Sequence, residues 1–447
     1  MEKINIGQEV ELQFGGRARV SGVIGAGSHD TVYLAEYNGM KWALKWYDTD
    51  KITDLDRFRS NIKNNMADGA PNNKFLWPRY FTKETEKGSF GIMLECKPDS
   101  FEPMRDLLRG YKKIIEPDTG KITKKKVRFS SLHAMVTAGI NIIHGFRQLH
   151  RFGKCYHQMS RNSFFINPDT GAVLIGGCDN IAPVGSELVL EGRPAYLAPE
   201  VNEGITLPDA ETDKFTMAVI LFQLLFRGDP FEGEKVVMDV CLSNDDLRRH
   251  YGRDAVFVFD PDNDTNRPVR GIHDGLMKFW DIYPDYVRNA FIKSFTAGLM
   301  NKEERLTEDD FQKIFIRLRS EIISCSCGKT DFMTLFDRPD IRTFKCPNCL
   351  MEFSTLSFSN FKNRVPLYIG KKFYECEIWP DSEDFLTVAG ELVENKFRPG
   401  LLGIKNCSDK KWRAKMPDGV FHDIDPGKGF PIWPGLEIDF GAVIAKI

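Results

Sequence analysis

Two glycines followed by a lysine, and two pairs of cysteines, are the residues whose types and spacing most directly imply chemistry. Residues 24–33 read IGAGSHDTVY. Gly25 and Gly27 supply the first two glycines of a G-x-G-x-x-G loop, Asp30 stands where the third would be, and Val32 follows. Glycine lets backbone N–H groups approach a phosphate with no Cβ in the way. By itself such a stretch equally describes a glycine-rich hairpin turn. Lys45 closes the run Ala43-Leu44-Lys45, about 18 residues after the loop, on a strand-like segment. A lone strand lysine is ordinarily a solvated edge residue, and its spacing from the loop is what argues for a phosphate-facing role. The cysteines Cys325 and Cys327 form one short pair, Cys346 and Cys349 a second, 18 residues further on. Four thiolates in two knuckles close a tetrahedral zinc site, which is structural because it leaves no open position. Zinc then substitutes for a core that about 30 residues cannot supply. Unliganded thiols stay open as an alternative. A redox pair lacks the strand–helix context it needs.

These residues must be held by elements the sequence also announces. The first 60 or so residues are strand-like, with Val10, Leu12, Val20, Val23, Val32, Leu34, Ala43 and Leu44 among glycines and short polar breaks. Helical spacing dominates from Ser131 to Ile323: Leu132, Val136, Ile140, Ile143 and Leu149 recur on one face. Met217 to Phe226 is the most apolar run, about half the length that spans a bilayer, and reads as a buried helix. Tyr111 to Ser131 carries seven Lys/Arg with Pro and Gly and is expected to be an exposed insertion, either a solvated loop or a docking patch for an acidic partner. After the cysteine-rich stretch a polar connection is expected at 354–364. A strand-rich tail follows, in which Leu436, Ile438 and Phe440 alternate with Glu437 and Asp439. The 447 residues carry a net charge of −2, 42% hydrophobic and 28% charged residues, which excludes a mainly disordered chain and argues against a strongly basic nucleic-acid binder.

Further motifs follow in order. Ala198-Pro199-Glu200 ends the run Tyr196 to Glu200, Asp213 leads the apolar helix, Gly228-Asp229-Pro230-Phe231 trails it, and Arg305 lies in Glu304-Arg305-Leu306-Thr307. With the glycine loop and Lys45, these resemble the eukaryotic-like protein-kinase superfamily from roughly residue 8 to 323. The strings ALKWY (43–47), GAPNNKFLWP (69–78), SFFINPDTGAVLI (163–175), DNIAPVG (179–185), AVILFQLLF (218–226) and FVFDPDNDTNRP (257–268) narrow the resemblance to a bacterial kinase family of tellurite-resistance-type gene clusters. The resemblance implies an α+β, bilobal kinase-like fold: an N-lobe over 1–98 and a helical C-lobe over 99–323. A zinc ribbon over 324–353 and an all-β domain over 366–447 follow. It implies nucleotide contacts from Gly25, Gly27, Val32, Ala43 and Lys45, and structural anchors at Glu200, Asp213 and Arg305. It also implies partners: a von Willebrand type A domain protein and a metal-dependent protein phosphatase.

The same register exposes a loss. A kinase uses an Asp to orient the acceptor hydroxyl, and an Asn and a second Asp to hold Mg²⁺. Phe164, Phe165 and Pro168 set the alignment, which puts Gln158 at the first position, Ser163 at the second and Gly177 at the third. Gln is a poor proton acceptor, Ser a weak magnesium ligand, and Gly offers no ligand. Ser60 or Asn61 falls where the acidic partner of Lys45 is expected, with Asp54 and Asp56 the nearest acids. Asp179, by a two-residue shift, and His157, as a base, are the minor alternatives for activity. The expectation is a pseudokinase that acts by protein interaction, with ATP a possible ligand. An active Ser/Thr kinase with atypical metal ligation, and a nucleotide sensor without turnover, are the competing readings.

The remaining features carry less. Asp260-Pro261-Asp262-Asn263-Asp264 imitates the start of a calcium loop, but Thr265 and Gly271 stand where Gly and Glu are required, so a capped turn is expected. The tail, through GIKNCSDKKW (403–412), Pro417-Asp418-Gly419 and PGLEIDFG (434–441), resembles the end of a forkhead-associated-type β-sandwich, without a recognisable phosphothreonine-binding Arg and Ser. Cys96, Cys155, Cys178, Cys241, Cys376 and Cys407 are scattered. The beginning of the chain has no basic n-region leading an apolar stretch, and the expected compartment is a reducing cytoplasm.

Overall fold

The computed structural model describes residues 3–27, 29–115, 121–190, 192–238, 242–333, 343–360 and 364–447; Cys241 and residues 116–120 of the basic insertion lie outside them. The strand-like opening folds as an antiparallel sheet of β1 (Glu9–Glu11), β2 (Arg17–Ala26), β3 (Asp30–Tyr37), β4 (Met40–Tyr47), β5 (Pro78–Phe81) and β6 (Gly91–Glu95), in the order 1-2-3-4-6-5. Asn38 and Gly39 both take positive φ, 50° and 72°, as a two-residue hairpin turn demands, and so fix the β3–β4 register with Tyr37 opposite Met40. Alternation then sorts the side chains. Trp42, Leu44 and Trp46 pack with Ala18 and Val20 on one face, while Lys45 turns to the other. On that second face lies α1 (Leu55–Asp68), started by the Asp54 carboxylate accepting from Arg57 N–H at 3.0 Å. Its Phe58 and Ile62 bury against Tyr47, Phe90 and Ile92.

Three helices organise the larger core. α2 (Leu132–Arg151) opens on Ser131, whose hydroxyl accepts from Ala134 N–H at 3.1 Å. α3 (Ala210–Phe226) opens on a reciprocal cap between Asp209 and Thr212 and is buried from Phe215 to Phe226, as its unbroken apolar run requires. α4 (Glu308–Ser320) packs on α2. One imidazole ties all three: His150 of α2 contacts Asp213 of α3 at 3.0 Å through Nε2, and Glu308 of α4 through Nδ1. Burial alone would lower the His150 pKa, but the two carboxylates raise it to about 9.

The tail is two sheets around one core. Lys372–Tyr374, Val388–Glu394, Leu402–Asn406 and Gly429–Pro431 form the first. The second holds Glu352–Phe358, Ile444–Lys446, Glu437–Asp439, Trp412–Lys415 and Phe421–Ile424. Leu356, Leu392, Ile404, Trp412, Leu436 and Ile438 share the interior, the last two as the alternation predicts. Two sequence expectations change. Residues 354–358 are strand rather than polar connection: Glu352–Phe358 pairs with Thr343–Lys345 at its start and with Arg364–Pro366 and Ile444–Lys446 at its end. The basic insertion is a hairpin, Tyr111–Ile115 against Ile122–Lys126, rather than an irregular loop. Asp260 accepts from the N–H groups of Asp262 and Asn263 at 2.9 and 3.2 Å, the capped turn expected there. No helix among the described residues is long and apolar enough to cross a membrane.

A buried guanidinium fastens the tail to α4. Arg319 donates to Phe385 O at 2.7 Å, Cys376 Sγ at 3.1 Å, Thr137 Oγ1 at 3.3 Å and Glu377 Oε1 at 3.4 Å. Beside it the buried ammonium of Lys371 donates to Ser320 O at 2.6 Å, and burial lowers its pKa to about 8.

Arg319→Ala strands Glu377 and the Phe385 carbonyl in a closed seam, so we expect a loss of about 3–5 kcal/mol in chemical denaturation. A loss below about 1 kcal/mol would show that the seam is wet. His150 makes a pH prediction. Its folded pKa lies above the unfolded value of 6.5, so its contribution is complete below about pH 6.5 and fades as pH rises through about 9. Thermal melts from pH 6 to 9.5 should fall over that window, and His150→Gln should flatten the fall.

Candidate functional site

The hairpin that carries the glycines folds back toward Lys45. Gly25 pairs with Val32, Val32 with Lys45, and Ala43 lies two residues before Lys45 on the same side of β4, so these four residues share one face of the sheet. Gly27 N–H donates to Asp30 O at 2.8 Å, which closes the tip. A Cβ at Gly27 would stand 3.0 Å from Asp30 Oδ1, so the carboxylate fills the concavity under the loop. Asp30 Oδ2 lies 3.3 Å from Lys45 Nζ.

Lys45 finds a second carboxylate from far along the chain. Asp179 Oδ2 lies 2.7 Å from Nζ and accepts from Tyr47 OH at 2.8 Å. Burial works against the ammonium, but Asp179 and Asp30 outweigh it and raise the Lys45 pKa above its ordinary value. Asp179 is fully buried, and its Oδ1 has no hydrogen-bond partner among the described residues. The helix α1 supplies no acid. Ser60 is exposed, and Asn61 donates to Ile181 O at 2.7 Å, as does Asn65. Asp54 caps α1 and Asp56 faces solvent, so neither approaches the lysine. Val189 and Leu190 bury among Tyr47, Ile52 and Phe58, and Thr53 Oγ1 donates to Val189 O at 3.0 Å.

Positions 158, 163 and 177 lie near one another. Lys154–Tyr156 pairs with Ile181–Pro183, which sets Gln158 beside residues 177–180, and Gln158 Oε1 accepts from Asn180 Nδ2 at 3.2 Å. Gly177 has φ 72°, and a Cβ built on it would point to Ser163 Oγ at 3.5 Å. Residues 163 and 177 thus face one another across a space where side-chain oxygens on both would meet. Ser163 instead completes a cap with Ser160, whose N–H donates to its Oγ at 3.3 Å. His157 is buried, burial lowers its pKa to about 4, and its Nε2 has no partner among the described residues. A sealed, neutral imidazole is not placed to serve as a base.

Further polar contacts fix the chain around these positions. Arg305 grips Glu200 with two parallel bonds, Nη1–Oε1 at 2.7 Å and Nη2–Oε2 at 2.8 Å, and donates to Gly298 O and Glu211 O. Asp213 accepts from Tyr156 N–H at 2.9 Å, which anchors the loop that leads to Gln158. Burial raises its pKa, with His150 opposing.

The four cysteines come together. Their Sγ atoms all lie within 4.8 Å of one another, with Cys325–Cys349 at 3.4 Å and Cys327–Cys346 at 3.8 Å. Four sulfurs at about 2.3 Å from a tetrahedral zinc would stand ~3.8 Å apart, so the set fits such an ion. Asn348 Nδ2 and the backbone of Lys329 hydrogen-bond Cys327 and hold its thiol below the usual range. Cys155, Cys178 and Cys376 are buried, Cys96 half-buried and Cys407 exposed. Sequence reasoning missed Asp30 and Tyr47 as partners at Lys45. The acid standing in place of the third glycine was the available signal for the first; nothing in the sequence marked the second.

No family model matches the chain, and no curated protein matches it. Among solved structures, the chain is similar to the kinase domain of PknI from Mycobacterium tuberculosis, at 13% identity and a TM-score of 0.42, over 70% of this chain and 99% of that one.

Proposed function

We propose that this chain is a kinase-like pseudokinase that works as a protein-interaction module and does not transfer phosphate. The observation that carries the reading is the state of Lys45: its charge is matched by Asp30 and Asp179 at 3.3 and 2.7 Å, while Gln, Ser and Gly occupy positions 158, 163 and 177. A phosphate entering under the glycine loop would meet the Asp30 carboxylate before it met the lysine. Phosphoryl transfer depends on positioning and on metal-borne charge neutralisation, and two of its metal anchors have no carboxylate or amide here. In this reading Glu200, Asp213 and Arg305 are retained for architecture. A von Willebrand type A domain protein and a metal-dependent phosphatase are the proposed partners, in the cytoplasm of a bacterium carrying a tellurite-resistance-type cluster. The hairpin with Lys124, Lys125 and Lys126 is one proposed docking surface, which salt should weaken.

Active-kinase chemistry has one observation in its favour, the unpartnered Oδ1 of Asp179. It is sealed behind the Lys45 pair, so it reaches a metal only after that pair opens. Labelled-ATP transfer to the protein itself and to generic substrates tests the proposal. No turnover above a Lys45→Ala control is expected; turnover that Lys45→Ala and Asp179→Asn both abolish would overturn it. Asp30→Asn should raise ATP affinity about tenfold or more, because it removes a like charge a few Å from the phosphates. An unchanged affinity would show that Asp30 does not hold the cradle.

We assign a structural zinc to Cys325, Cys327, Cys346 and Cys349. Elemental analysis should give one equivalent per chain after metal-replete expression, and less than about half would count against the site. Cys346→Ser should loosen the ribbon while the helical core, built on other residues, stays folded.

A further inference from the structure

The basic hairpin leaves a sheet edge open. Tyr111–Ile115 and Ile122–Lys126 pair only with each other among the described residues, so each strand has a free side. The first strand begins half-buried, at Tyr111 and Lys112, and Lys112 is held by Glu102. The second is bare: Ile122, Lys124, Lys125 and Lys126 are all exposed. The ladder places its open backbone groups. Val127 N–H donates to the opposed Gly110 O at 3.0 Å, so the bonded pairs that follow are Lys112 with Lys125 and Ile114 with Thr123. The N–H and C=O groups of Lys124 and Lys126 therefore point away from the partner strand, toward the free edge.

The same alternation sorts the side chains. Opposed residues share a face, so Tyr111, Lys113, Lys124 and Lys126 stand on one side of the hairpin, and Lys112 and Lys125 on the other. Lys124 Nζ accordingly lies 4.7 Å from the centre of the Tyr111 ring. Lys113 and Lys126 are exposed and make no ion pair with the described residues. Lysines on an edge strand ordinarily serve to keep other strands away. That accounts for Lys124 and Lys126. It does not account for Lys113, which lies behind the edge, directly opposite Lys124, where like charges destabilise the hairpin itself.

We infer that this edge takes up an acidic segment of a partner protein as a third strand. The outward backbone groups of Lys124 and Lys126 supply the ladder bonds. Asp or Glu at every second position of the added strand then falls on the face of Lys113, Lys124 and Lys126, and relieves their mutual repulsion. A second copy of the same strand is refused, because its lysines meet those already there. The inference deepens the reading of the hairpin as a docking surface and rests on it.

The test is fluorescence anisotropy on the full chain. The main probe is a labelled pool of short peptides in which Asp or Glu alternates with Val, Ile or Thr. The others are its Asn/Gln twin, the acidic pool N-methylated at alternate peptide bonds, and a labelled DNA duplex. The acidic pool should bind at least about tenfold tighter than its twin, and salt should erode that preference. N-methylation removes the donors of an added strand and should abolish binding. Lys124→Gln and Lys126→Gln should each weaken binding about threefold, the usual worth of an exposed ion pair. Lys125→Gln makes the same charge change on the opposite face and should leave affinity nearly unchanged. Thermal melts establish that the variants are folded. Equal binding of pool and twin overturns the proposal, as do undiminished binding of the N-methylated pool, tighter binding of the duplex, or equal costs at Lys125 and Lys126. A triple variant, Lys124→Gln with Lys125→Gln and Lys126→Gln, separates the two levels. If it loses the acidic pool while Lys125 and Lys126 cost the same, the hairpin docks partners but adds no strand. If it keeps the pool in full, the docking reading falls as well.

Discussion

An ammonium group buried between a sheet and a helix must be matched by negative charge. The unmatched alternative, a cation stripped of water in a low-dielectric interior, costs several kcal/mol. Much of the smaller lobe answers to that constraint. Lys45 faces inward because β4 alternates and Trp42, Leu44 and Trp46 claim the other side. With α1 offering Asn61 and Asn65 instead of an acid, the charge is met by Asp30 from the adjacent strand and Asp179 from the larger lobe. The ion pair therefore also joins the lobes. Tyr47, donating to the same oxygen of Asp179, orients that carboxylate. Lys45 is thus a rivet between two parts of its own chain.

The helical part is fixed by buried charges of its own. Arg305 and Glu200 form a bidentate pair, and Asp213 holds both the backbone of Tyr156 and the ring of His150. Asp213 in this way anchors the loop that leads to Gln158. Removal of these groups would leave buried charges and backbone groups unpaired, a cost borne by stability whether or not the site turns over. Residues whose only service is to bind metal carry no such penalty. Ser163 and Gly177 fit their surroundings without strain: the serine completes a cap, and the glycine adopts a left-handed φ that a side chain rarely accepts.

The parts of this architecture legible in the sequence were those set by local period. The alternation of Leu436, Ile438 and Phe440, the unbroken apolar run of α3 and the spacing of α2 each depend on neighbours a few residues away. Paired thiols announced their own meeting for the same reason. Lys45 and Asp179 are 134 residues apart, and no local pattern states that they touch. The strand Glu352–Phe358 escaped notice because it passes from the ribbon into the sandwich. Thr355 and Leu356 are both fully buried, so its period of two is broken where the partner sheet changes. The hairpin at Tyr111–Ile115 and Ile122–Lys126 has largely exposed lysines on its second strand and no apolar face to betray it.

That strand also decides how the ribbon communicates. Phe353 lies in the small core with Cys325 and Cys346, whereas Leu356 and Phe358 lie in the core of the sandwich, three and five residues later on the same strand. Tyr368 bridges onward: its ring packs with the cysteines, while its hydroxyl donates to Ile322 O at 3.2 Å and meets His133 of α2 at 3.1 Å. Cysteine knuckle, sandwich and helical lobe thus share one continuous set of hydrogen bonds, reinforced by Arg319 and Lys371 at the seam. The thiols therefore touch both neighbours: Phe353 leads along Glu352–Phe358 into the sandwich, and Tyr368 leads to Ile322 and to His133 of α2. The tail is then held by the helical part on one side and by the cysteine cluster on the other. A partner that grips it grips a surface whose orientation is set by both.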